Sequence, residues 1–531
     1  MKLKRLSILL LVLLMVFAGS IIGCSPAEEE PEEDEAENGE EAVDEGPFGG
    51  TFRVALDGEP NTLDMQSTTA TITFETAMLM FEGLFTLDAG LDVIPMLADS
   101  YDVSEDGTIY TIYLREGIKF HNGKEMTAED VIASLERWGE VSGAGQGIFE
   151  NVNELYSDGD YTIVFELENP SGVFLVTLAM HNQGAVIYPK EVVEEAGPEV
   201  ITDYIGTGPY KFVEWRPNQH IKLERYDDYS PVDFPATGYG GEKVAYPDEF
   251  VFEIITDGVV ALAGLETGEY DYVRGASGDE YERIKDHPNI NATASQFRAW
   301  LAFVFNKSEG VTSDPLIRQA ILLTLDNAPL LEGYRGDDTF WRLDHSIMWK
   351  EQDWWSEVGS EKYDVQDLEA AKALLEEANY DGEEIVWITG FQSYYNGSLV
   401  AVSQLREIGL NIDLQLLERA AYSDMLTNPE LWDVFTTGFT IRPDPTQMAF
   451  LSPSFAGWWE NDEVQDLLAQ MRIEHDFDKR YEMWEEVQRI FFEDVPVIKA
   501  GDYSNMRAFS ARVQGYEPMA DMSYLNLWLA E

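Results

Sequence analysis

Cysteine is almost absent from this chain. Cys24 is the only cysteine among 531 residues, and an internal disulfide needs two. The chain therefore depends on a hydrophobic core for its stability, because no covalent cross-link can supply it. The same absence leaves the folded part of the sequence without a thiol nucleophile.

Histidine is also scarce, and the common signatures of catalysis are missing. The six histidines are scattered, and no two of them share a helix face, so the sequence gives little support for a zinc site. The chain has no Walker A phosphate loop, no Gly-x-Ser-x-Gly elbow and no His-Glu-x-x-His motif. Carboxylates are so numerous that any acid–base pair could be selected. The sequence therefore predicts no catalytic residue, no metal and no cofactor, and a protein that is not an enzyme.

Basic residues are few compared with acidic ones. The chain has 35 Lys and Arg against 99 Asp and Glu, a net charge of −64. Such a chain repels nucleic acid and anionic lipid, so we expect no nucleic-acid partner. The acids are spread along the chain, which favours adaptation of an exposed surface, for example to high salt, where screening weakens self-repulsion. A cationic ligand is the alternative interpretation.

The N-terminus has the pattern of a targeting segment. A basic start and an apolar run over residues 6–18 are typical of a signal peptide, here 1–23, and the run is too short for a membrane span. Residues 21–24, Ile-Ile-Gly-Cys, resemble the bacterial lipobox, which implies lipidation of Cys24. Residues 24–48 are too acidic to bury a core and form a disordered linker. We predict a protein anchored by lipid at the outer face of the cell membrane, or in a periplasm.

Strand and helix patterns alternate from about residue 300 to 500. Residues 250–256 and 270–273 have strand patterns on either side of a helix at 259–266, which predicts a βαβ unit. Strand–helix alternation of this kind predicts an α/β architecture. A single helix is expected over 464–493, with one apolar stripe in the core.

A second helix is expected to begin just after Thr127. Thr127 has the N-cap residue type, and Asp130 supplies an acid three positions later. Val131, Leu135 and Trp138 then follow at the spacing of an inward-facing stripe.

The stretch 432–445, WDVFTTGFTIRPDP, combines a strand pattern with an abrupt stop. Residues 432–441 are rich in aromatic and β-branched types, and the two prolines that follow can neither continue a strand nor enter a helix. The turn leaves Arg442 and Asp444 at the end of a strand, where polar side chains are commonly presented to ligands. A mutual ion pair that only decorates the turn is the competing interpretation.

Tryptophan is frequent in contexts that look like loops. Rigid aromatic faces stack on ligands at little entropic cost. Core packing is the better interpretation for any single tryptophan, but for adjacent pairs the two interpretations are balanced. The tryptophans in question are Trp341, Trp349, Trp354, Trp355, Trp458 and Trp459.

Five stretches, taken together, resemble one protein family. They are 82–88 (EGLFTLD), 97–138, 206–215 (GTGPYKFVEW), 363–382 and 406–422. In them the chain resembles the extracytoplasmic solute-binding proteins of ATP-binding-cassette (ABC) importers for oligopeptides, dipeptides and nickel, known as solute-binding family 5. The resemblance runs from about residue 48 to the C-terminus. It implies a periplasmic-binding-protein-like α/β fold with two hinged lobes and a third, extra domain packed on the first lobe.

The resemblance also implies domain limits and partners. It assigns residues 50–80, 205–300 and 500–531 to lobe I, 81–204 to the extra domain and 301–499 to lobe II. It implies a monomer that binds a small solute, here a peptide, between its lobes. The solute then passes unaltered to an ABC permease driven by a cytoplasmic ATPase.

The same resemblance gives the 432–445 stretch a role. In the peptide binders, an aspartate in this turn anchors the α-ammonium of the peptide, and this chain has Arg442 there. A tryptophan of the peptide pocket corresponds to Arg419. A guanidinium prefers a carboxylate or phosphate, so we predict that Arg442 and Arg419 hold a ligand carboxylate. Asp444 is expected either to contact the ligand amine or to pair with Arg442.

Apolar walls complete the predicted site. We assign that role to Phe439, Trp300 and either Trp458 or Trp459, and we place Gly208 near the cleft at a domain crossover.

Two other functions stay open. One is the same fold binding an oligosaccharide, an opine-like acid or a metal chelate; the other is an extracellular hydrolase acting on acidic glycans or peptides.

Overall fold

The computed structural model describes residues 48–530, apart from residues 277, 298, 441 and 520 and the side chain of Asp279. The predicted signal peptide, Cys24 and nearly all of the predicted linker lie outside the described residues. No helix within the described residues is both long enough and apolar enough to cross a membrane.

Between residues 299 and 503 α-helices separate successive strands, in the block where the sequence predicts alternation, whereas in other parts of the described chain several strands follow one another directly. The strands are β1 Thr51–Leu56, β2 Phe85–Leu87, β3 Val93–Pro95, β4 Ala98–Val103, β5 Ile109–Leu114, β6 Val152–Ser157, β7 Thr162–Leu167, β8 Tyr210–Arg216, β9 His220–Arg225, β10 Glu249–Ile254, β11 Tyr272–Val273, β12 Ile290–Ala294, β13 Ala299–Phe305, β14 Trp341–Arg342, β15 Glu384–Thr389, β16 Asn411–Leu416, β17 Val434–Thr440, β18 Val497–Tyr503, β19 Met506–Ser510, β20 Val513–Gln514 and β21 Trp528–Leu529. The α-helices are α1 Thr71–Ala77, α2 Ala128–Val141, α3 Gly143–Phe149, α4 Phe174–Ala179, α5 Lys190–Ala196, α6 Gly258–Thr267, α7 Tyr281–Ile284, α8 Pro315–Thr324, α9 Asn327–Arg335, α10 Leu368–Glu377, α11 Gln392–Glu407, α12 Arg419–Leu426, α13 Asp462–Ile473 and α14 Phe477–Asp494.

A seven-stranded sheet forms the first lobe, in the order β12-β19-β11-β1-β10-β9-β8. Strand β1 pairs in parallel with both β10 and β11, and α6 connects these two neighbours. The predicted βαβ unit is therefore confirmed, with β1 inserted between its two strands. Asp257 caps α6 by accepting from the main-chain N–H groups of Val259 and Val260.

A six-stranded sheet forms the second lobe, in the order β14-β18-β13-β17-β15-β16. Its central strand, β13, pairs antiparallel with β17 and β18, whereas β15 is parallel to both β16 and β17. Apolar clusters cover both faces, with Trp300 and Phe435 in one and Phe303 and Trp387 in the other. The strand expected over 432–441 is β17.

A four-stranded antiparallel sheet, β4-β5-β7-β6, forms the third domain with α2 to α5. Helix α2 begins after Thr127, and the Asp130 carboxylate accepts a hydrogen bond from the Thr127 N–H at 3.0 Å. The predicted stripe of Val131, Leu135 and Trp138 is fully buried. These residues share one apolar core with strand residues of the first lobe, including Phe52, so the third domain packs on that lobe.

The chain crosses between the two large sheets twice. The connections are those from β12 to β13 and from β18 to β19. The two crossovers are tied together, because the Ser295 N–H donates to the Asn505 carbonyl at 2.8 Å and the Asn505 N–H donates to the Ser295 Oγ at 3.1 Å. The expected limit between lobes at 499/500 falls inside β18; the domain limits as a whole stay a prediction.

The single helix expected over 464–493 is wrong. Helix α13 ends at Ile473, and α14 begins at Phe477. Asp476 starts the second helix by accepting from the Lys479 N–H at 3.1 Å. The apolar stripe of α14 is nevertheless in the core as expected, with Trp484 and Val487 fully buried.

Candidate ligand-binding cleft

A cleft of about 1300 Å³ lies between the first and second lobes. The first lobe contributes the loop after β11, α7 and the start of β19. The second lobe contributes the end of α9, strand β14 and the start of α11. Residues that line the cleft include Arg274, Glu282, Glu332, Tyr334, Arg335, Asp337, Asp338, Trp341, Phe391 and Arg507.

Sheet topology explains why the cleft lies there. Strands β1, β10 and β11 run in parallel, so their carboxyl ends meet at one edge of the first sheet, and Arg274 follows β11. Strands β15, β16 and β17 also run in parallel, so their carboxyl ends meet at one edge of the second sheet, and Phe391 follows β15. Open α/β sheets present ligand-binding loops at this edge. The Ser504–Asn505 crossover lies between the two walls and also lines the cleft.

Arginines on the first-lobe wall are held by protein partners. The Arg274 guanidinium binds the Glu75 and Asp57 carboxylates. Burial opposes its charge, but these carboxylates outweigh that effect and raise the pKa of Arg274. The Arg507 Nη1 group contacts the Tyr272 hydroxyl at 3.3 Å.

Arg335 on the second-lobe wall is held differently. Its guanidinium carbon lies 4.5 Å from the ring centre of Tyr334 and 4.2 Å from that of Tyr503. Its Nη2 group donates to the Tyr334 hydroxyl at 3.1 Å. Within the described part of the chain, no ion pair to Arg335 is present. Two aromatic faces therefore orient this cation without neutralising it.

A cluster of tyrosines supports Arg335 from behind. The Tyr334 ring stacks on Tyr394 at 5.3 Å and meets Tyr503 edge-on at 5.0 Å. Gly438 in β17 lies under this cluster, where a Cβ atom would overlap the hydroxyls of Tyr503 and Tyr394. Glycine at this position of the strand thus lets the two tyrosines approach the sheet.

Carboxylates and apolar surfaces share the cleft with the arginines. Glu282 pairs with Lys285 at 2.6 Å, whereas Asp338 on the other wall is exposed. The Thr339 side chain and N–H bond the Asp337 carboxylate and lower the pKa of Asp337. Trp341 and Phe391 supply aromatic faces. The cleft can therefore bind a molecule that carries both charges together with apolar groups.

Asp444 is buried away from this cleft. It is 2% exposed, and its carboxylate binds the Arg480 guanidinium and accepts from the Thr446 N–H at 2.9 Å. The expected alternative in which Asp444 pairs with Arg442 is therefore wrong. Arg442 is partly buried, its carbonyl accepts from the Gln352 Nε2 at 3.0 Å, and it does not line the cleft. Binding of a ligand by either residue stays a prediction.

The residues predicted as apolar walls belong to the core of the second lobe. Trp300 is fully buried, 4.9 Å from the Phe439 ring. Trp459 donates from Nε1 to the Asp494 carboxylate at 3.0 Å, and Trp458 stacks on Trp432 at 5.6 Å. None of the four lines the cleft. Of the tryptophans noted in the sequence, Trp341 does.

Arg419 and Gly208 lie in different places. Arg419 is the exposed first residue of α12, and its guanidinium carbon lies 5.5 Å from the ring centre of Phe391, a cleft residue. Gly208 lies where the first lobe meets the third domain: its N–H donates to the Met80 carbonyl at 2.9 Å, and a Cβ atom would overlap the same backbone. Its carbonyl accepts from the His121 Nε2 at 3.0 Å, and burial lowers the pKa of His121 to about 4.

Sequence reasoning missed the three arginines that line the cleft, including Arg335, which has no carboxylate partner among the described residues. Arg335 ends a helix and precedes Gly336, in a segment without a recognisable motif. The available signal was its charge, since arginines are few in this acidic chain. The same signal points in the sequence to Arg442 and Arg419, and a family motif supports only those two.

Comparison with known proteins identifies the family. The model of bacterial extracellular solute-binding proteins, family 5, matches residues 92–462. The chain is 28% identical over 494 residues to the probable peptide ABC transporter periplasmic-binding protein y4tO of Sinorhizobium fredii, covering 88% of this chain and 91% of that protein. It is 24% identical to the oligopeptide-binding protein AppA of Bacillus subtilis, covering 99% of both chains.

A solved structure gives the same fold. The ABC transporter substrate-binding protein CtaP of Listeria monocytogenes matches with a TM-score of 0.80 at 22% identity, covering 91% of this chain and all of that one. The family match extends over more than half of the chain, from the third domain into the second lobe. The protein therefore belongs to family 5 of the bacterial extracellular solute-binding proteins.

Proposed function

We propose that the protein is the substrate-binding component of an ABC importer, which binds peptides between its two lobes and delivers them unaltered to a membrane permease. The interlobe cleft carries the proposal. Its walls combine a guanidinium without a carboxylate partner, several carboxylates and aromatic faces. A short peptide is a zwitterion with apolar side chains, and it complements such a surface. The relatives from S. fredii and B. subtilis are named for peptide transport or binding.

The proposal includes where the protein works and how it is anchored. The basic and apolar start of the sequence and the Ile-Ile-Gly-Cys segment ending at Cys24 support export and lipidation, so the protein would work outside the cytoplasm, held by a lipid anchor. The acidic linker after Cys24 would let the two lobes stand away from the membrane. The bound solute would then be handed over without any chemical change.

An acidic solute of another kind, such as an opine-like acid, is the second candidate. The observation that favours it is the number of arginines in the cleft. Three arginines line it, although acids outnumber basic residues by 99 to 35 in the whole chain. Arg274 is already neutralised by Glu75 and Asp57, so Arg335 is the arginine whose guanidinium could bind a carboxylate of such a solute without displacing a protein carboxylate.

The decisive experiment is binding of defined pools by the purified protein. We would incubate it with random pentapeptides, with a pool of oligosaccharides and with a pool of small polycarboxylic acids, and identify bound species by native mass spectrometry. We expect selective retention of peptides, unaltered in mass. X-ray scattering should then show a smaller radius of gyration as the lobes close.

Other outcomes would contradict the proposal. Retention of polycarboxylic acids without peptides would assign the protein to the second candidate. Cleaved peptides or glycans in the mixture would identify a hydrolase.

A further inference from the structure

The environment of Arg335 differs from that of three buried arginines of this protein. Asp64 binds Arg137, Asp444 binds Arg480, and main-chain carbonyls surround Arg318. In a chain with 99 acidic residues, an arginine at a cleft would be expected to attract a carboxylate. Arg335 has no carboxylate within 4.0 Å among the residues that the structure describes.

Acidic residues close in sequence do not pair with Arg335. Glu332 precedes it by three positions on α9, a spacing that normally allows an ion pair. Asp337 and Asp338 follow within three residues, and both line the cleft. The guanidinium lies instead over the rings of Tyr334 and Tyr503.

The hydrogen-bond donors of Arg335 are mostly unused. A guanidinium has five N–H donors in a planar fork. One nitrogen, Nη2, donates to the Tyr334 hydroxyl, and the buried Nε has no acceptor in the described structure. Such a group can still form the two parallel bonds with which arginine recognises a carboxylate.

A further aromatic side chain is bonded to the main chain that follows Arg335. The Trp341 Nε1 donates to the carbonyl of Gly336, the residue after Arg335, at 3.1 Å. Trp341 and Phe391 both line the cleft on the same lobe as Arg335. An anionic group at Arg335 would therefore have an apolar surface available for the part of the ligand beside it.

We infer that Arg335 is the anion-binding residue of the cleft and takes a carboxylate of the ligand. The inference rests on the proposed function and names the chemistry of the ligand: a free carboxylate next to an apolar or aromatic group. It also assigns to Arg335 the role that the sequence suggested for Arg442 and Arg419.

The test uses small probes that do not depend on the identity of the natural ligand. Tryptophan fluorescence would follow titration of the full chain with N-acetylphenylalanine, its neutral amide, and phenyl phosphate. We expect the carboxylate to bind at least about tenfold more tightly than the amide, because the amide cannot accept a charge-assisted pair of hydrogen bonds. Tighter binding of phenyl phosphate than of the carboxylate would assign the subsite to phosphorylated ligands and overturn the carboxylate assignment.

Variants of Arg335 would test whether this residue causes the preference for carboxylate over amide. In Arg335→Gln the preference for carboxylate over amide should disappear, and in Arg335→Lys it should be reduced but present, because a lysine keeps the charge without the fork. Arg489→Gln is the matched control, since Arg489 lies on α14 and pairs with Glu486 and Glu493. Circular dichroism would establish that each variant is folded. A preference that survives in Arg335→Gln, or that is lost in Arg442→Gln instead, would overturn the inference.

Failure of this inference and failure of the proposed function give different results. If pentapeptides bind equally well with free and amidated C-termini, peptide binding stands and the role of Arg335 is wrong. If no peptide binds but N-acetylphenylalanine binds through Arg335, the anion subsite stands and the proposed peptide function is wrong.

Discussion

Individual buried charges contribute to the stability of the second lobe. Asp444 looks like a ligand contact in the sequence because it follows a strand in a proline-rich turn. In the structure its carboxylate is 2% exposed and binds Arg480, which is also buried and donates further to main-chain carbonyls. A pair of this kind is costly to break, because either partner alone would be a charge without compensation in an apolar environment.

Replacing Asp444 should therefore reduce stability. We expect Asp444→Ala to lower the free energy of unfolding of the second lobe by about 3–5 kcal/mol, since Arg480 would stay buried without its counter-ion. Urea unfolding followed by tryptophan fluorescence would measure it. Asp466→Ala is the control: Asp466 lies exposed on α13, and its loss should change the free energy by less than about 0.5 kcal/mol. Unchanged stability together with lost ligand affinity would instead support the ligand role predicted from the sequence.

Residue-level prediction succeeded where the determinants were local. The Thr127–Asp130 cap and the stripe ending at Trp138 are set within a few positions of the chain, and both are confirmed. Arg335 ends helix α9, and its contact with Tyr503 at the end of strand β18 depends on the packing of that helix against that strand. No local pattern contains that information.

At the scale of elements, the break between α13 and α14 is the main departure from the sequence prediction. The apolar periodicity continues through the break, so a pattern search joins the two helices. The signal for a break was Asp476, which caps the second helix. The break also has a structural use, because the third domain contacts the second lobe there.

Gly172 of the third domain makes that contact. Its N–H donates to the Arg472 carbonyl at 2.8 Å, and its carbonyl accepts from the Arg480 Nη1 at 3.2 Å. A Cβ atom at this position would overlap the Glu474 carbonyl and approach the Met471 carbonyl. Main-chain atoms cannot move aside as a flexible side chain can, so only glycine fits between the two helices.

We therefore expect Gly172→Ala to loosen the contact between the third domain and the second lobe. Hydrogen exchange of the Gly172 amide and of the α13–α14 turn should become faster, because the two hydrogen bonds lengthen or break. Gly147→Ala is the matched control, since a Cβ atom at Gly147 in the same domain would meet no neighbour. Equal exchange in the two variants would show that this contact does not depend on the glycine.

At the scale of the whole molecule, the prediction of the architecture came from the family resemblance. It implied two lobes, a third domain on the first lobe and a ligand cleft between lobes, and the sheets and shared core agree with that architecture. It did not identify the walls of the cleft. The resemblance transfers backbone topology, whereas the side chains that it placed at the site, Arg442, Asp444 and Trp300 among them, do not line the cleft.

The net charge of −64 predicts that the thermal stability of the protein depends on salt. Two electrostatic effects oppose each other when salt is added: screening weakens surface ion pairs, and it weakens the mutual repulsion of excess acids. Exposed pairs contribute about 0–1 kcal/mol each, and about two thirds of the acids have no basic residue to pair with, so the repulsion dominates.

Raising NaCl from 0.1 M to 1 M shortens the screening length from about 10 Å to about 3 Å. We expect the melting temperature to rise by roughly 5 °C, measured by calorimetry. Potassium chloride should give the same rise, since screening depends on ionic strength and not on the cation. A fall in melting temperature would mean that ion pairs such as that of Arg342 with Glu351 outweigh the repulsion, and that the acidity of this surface is not an adaptation to salt.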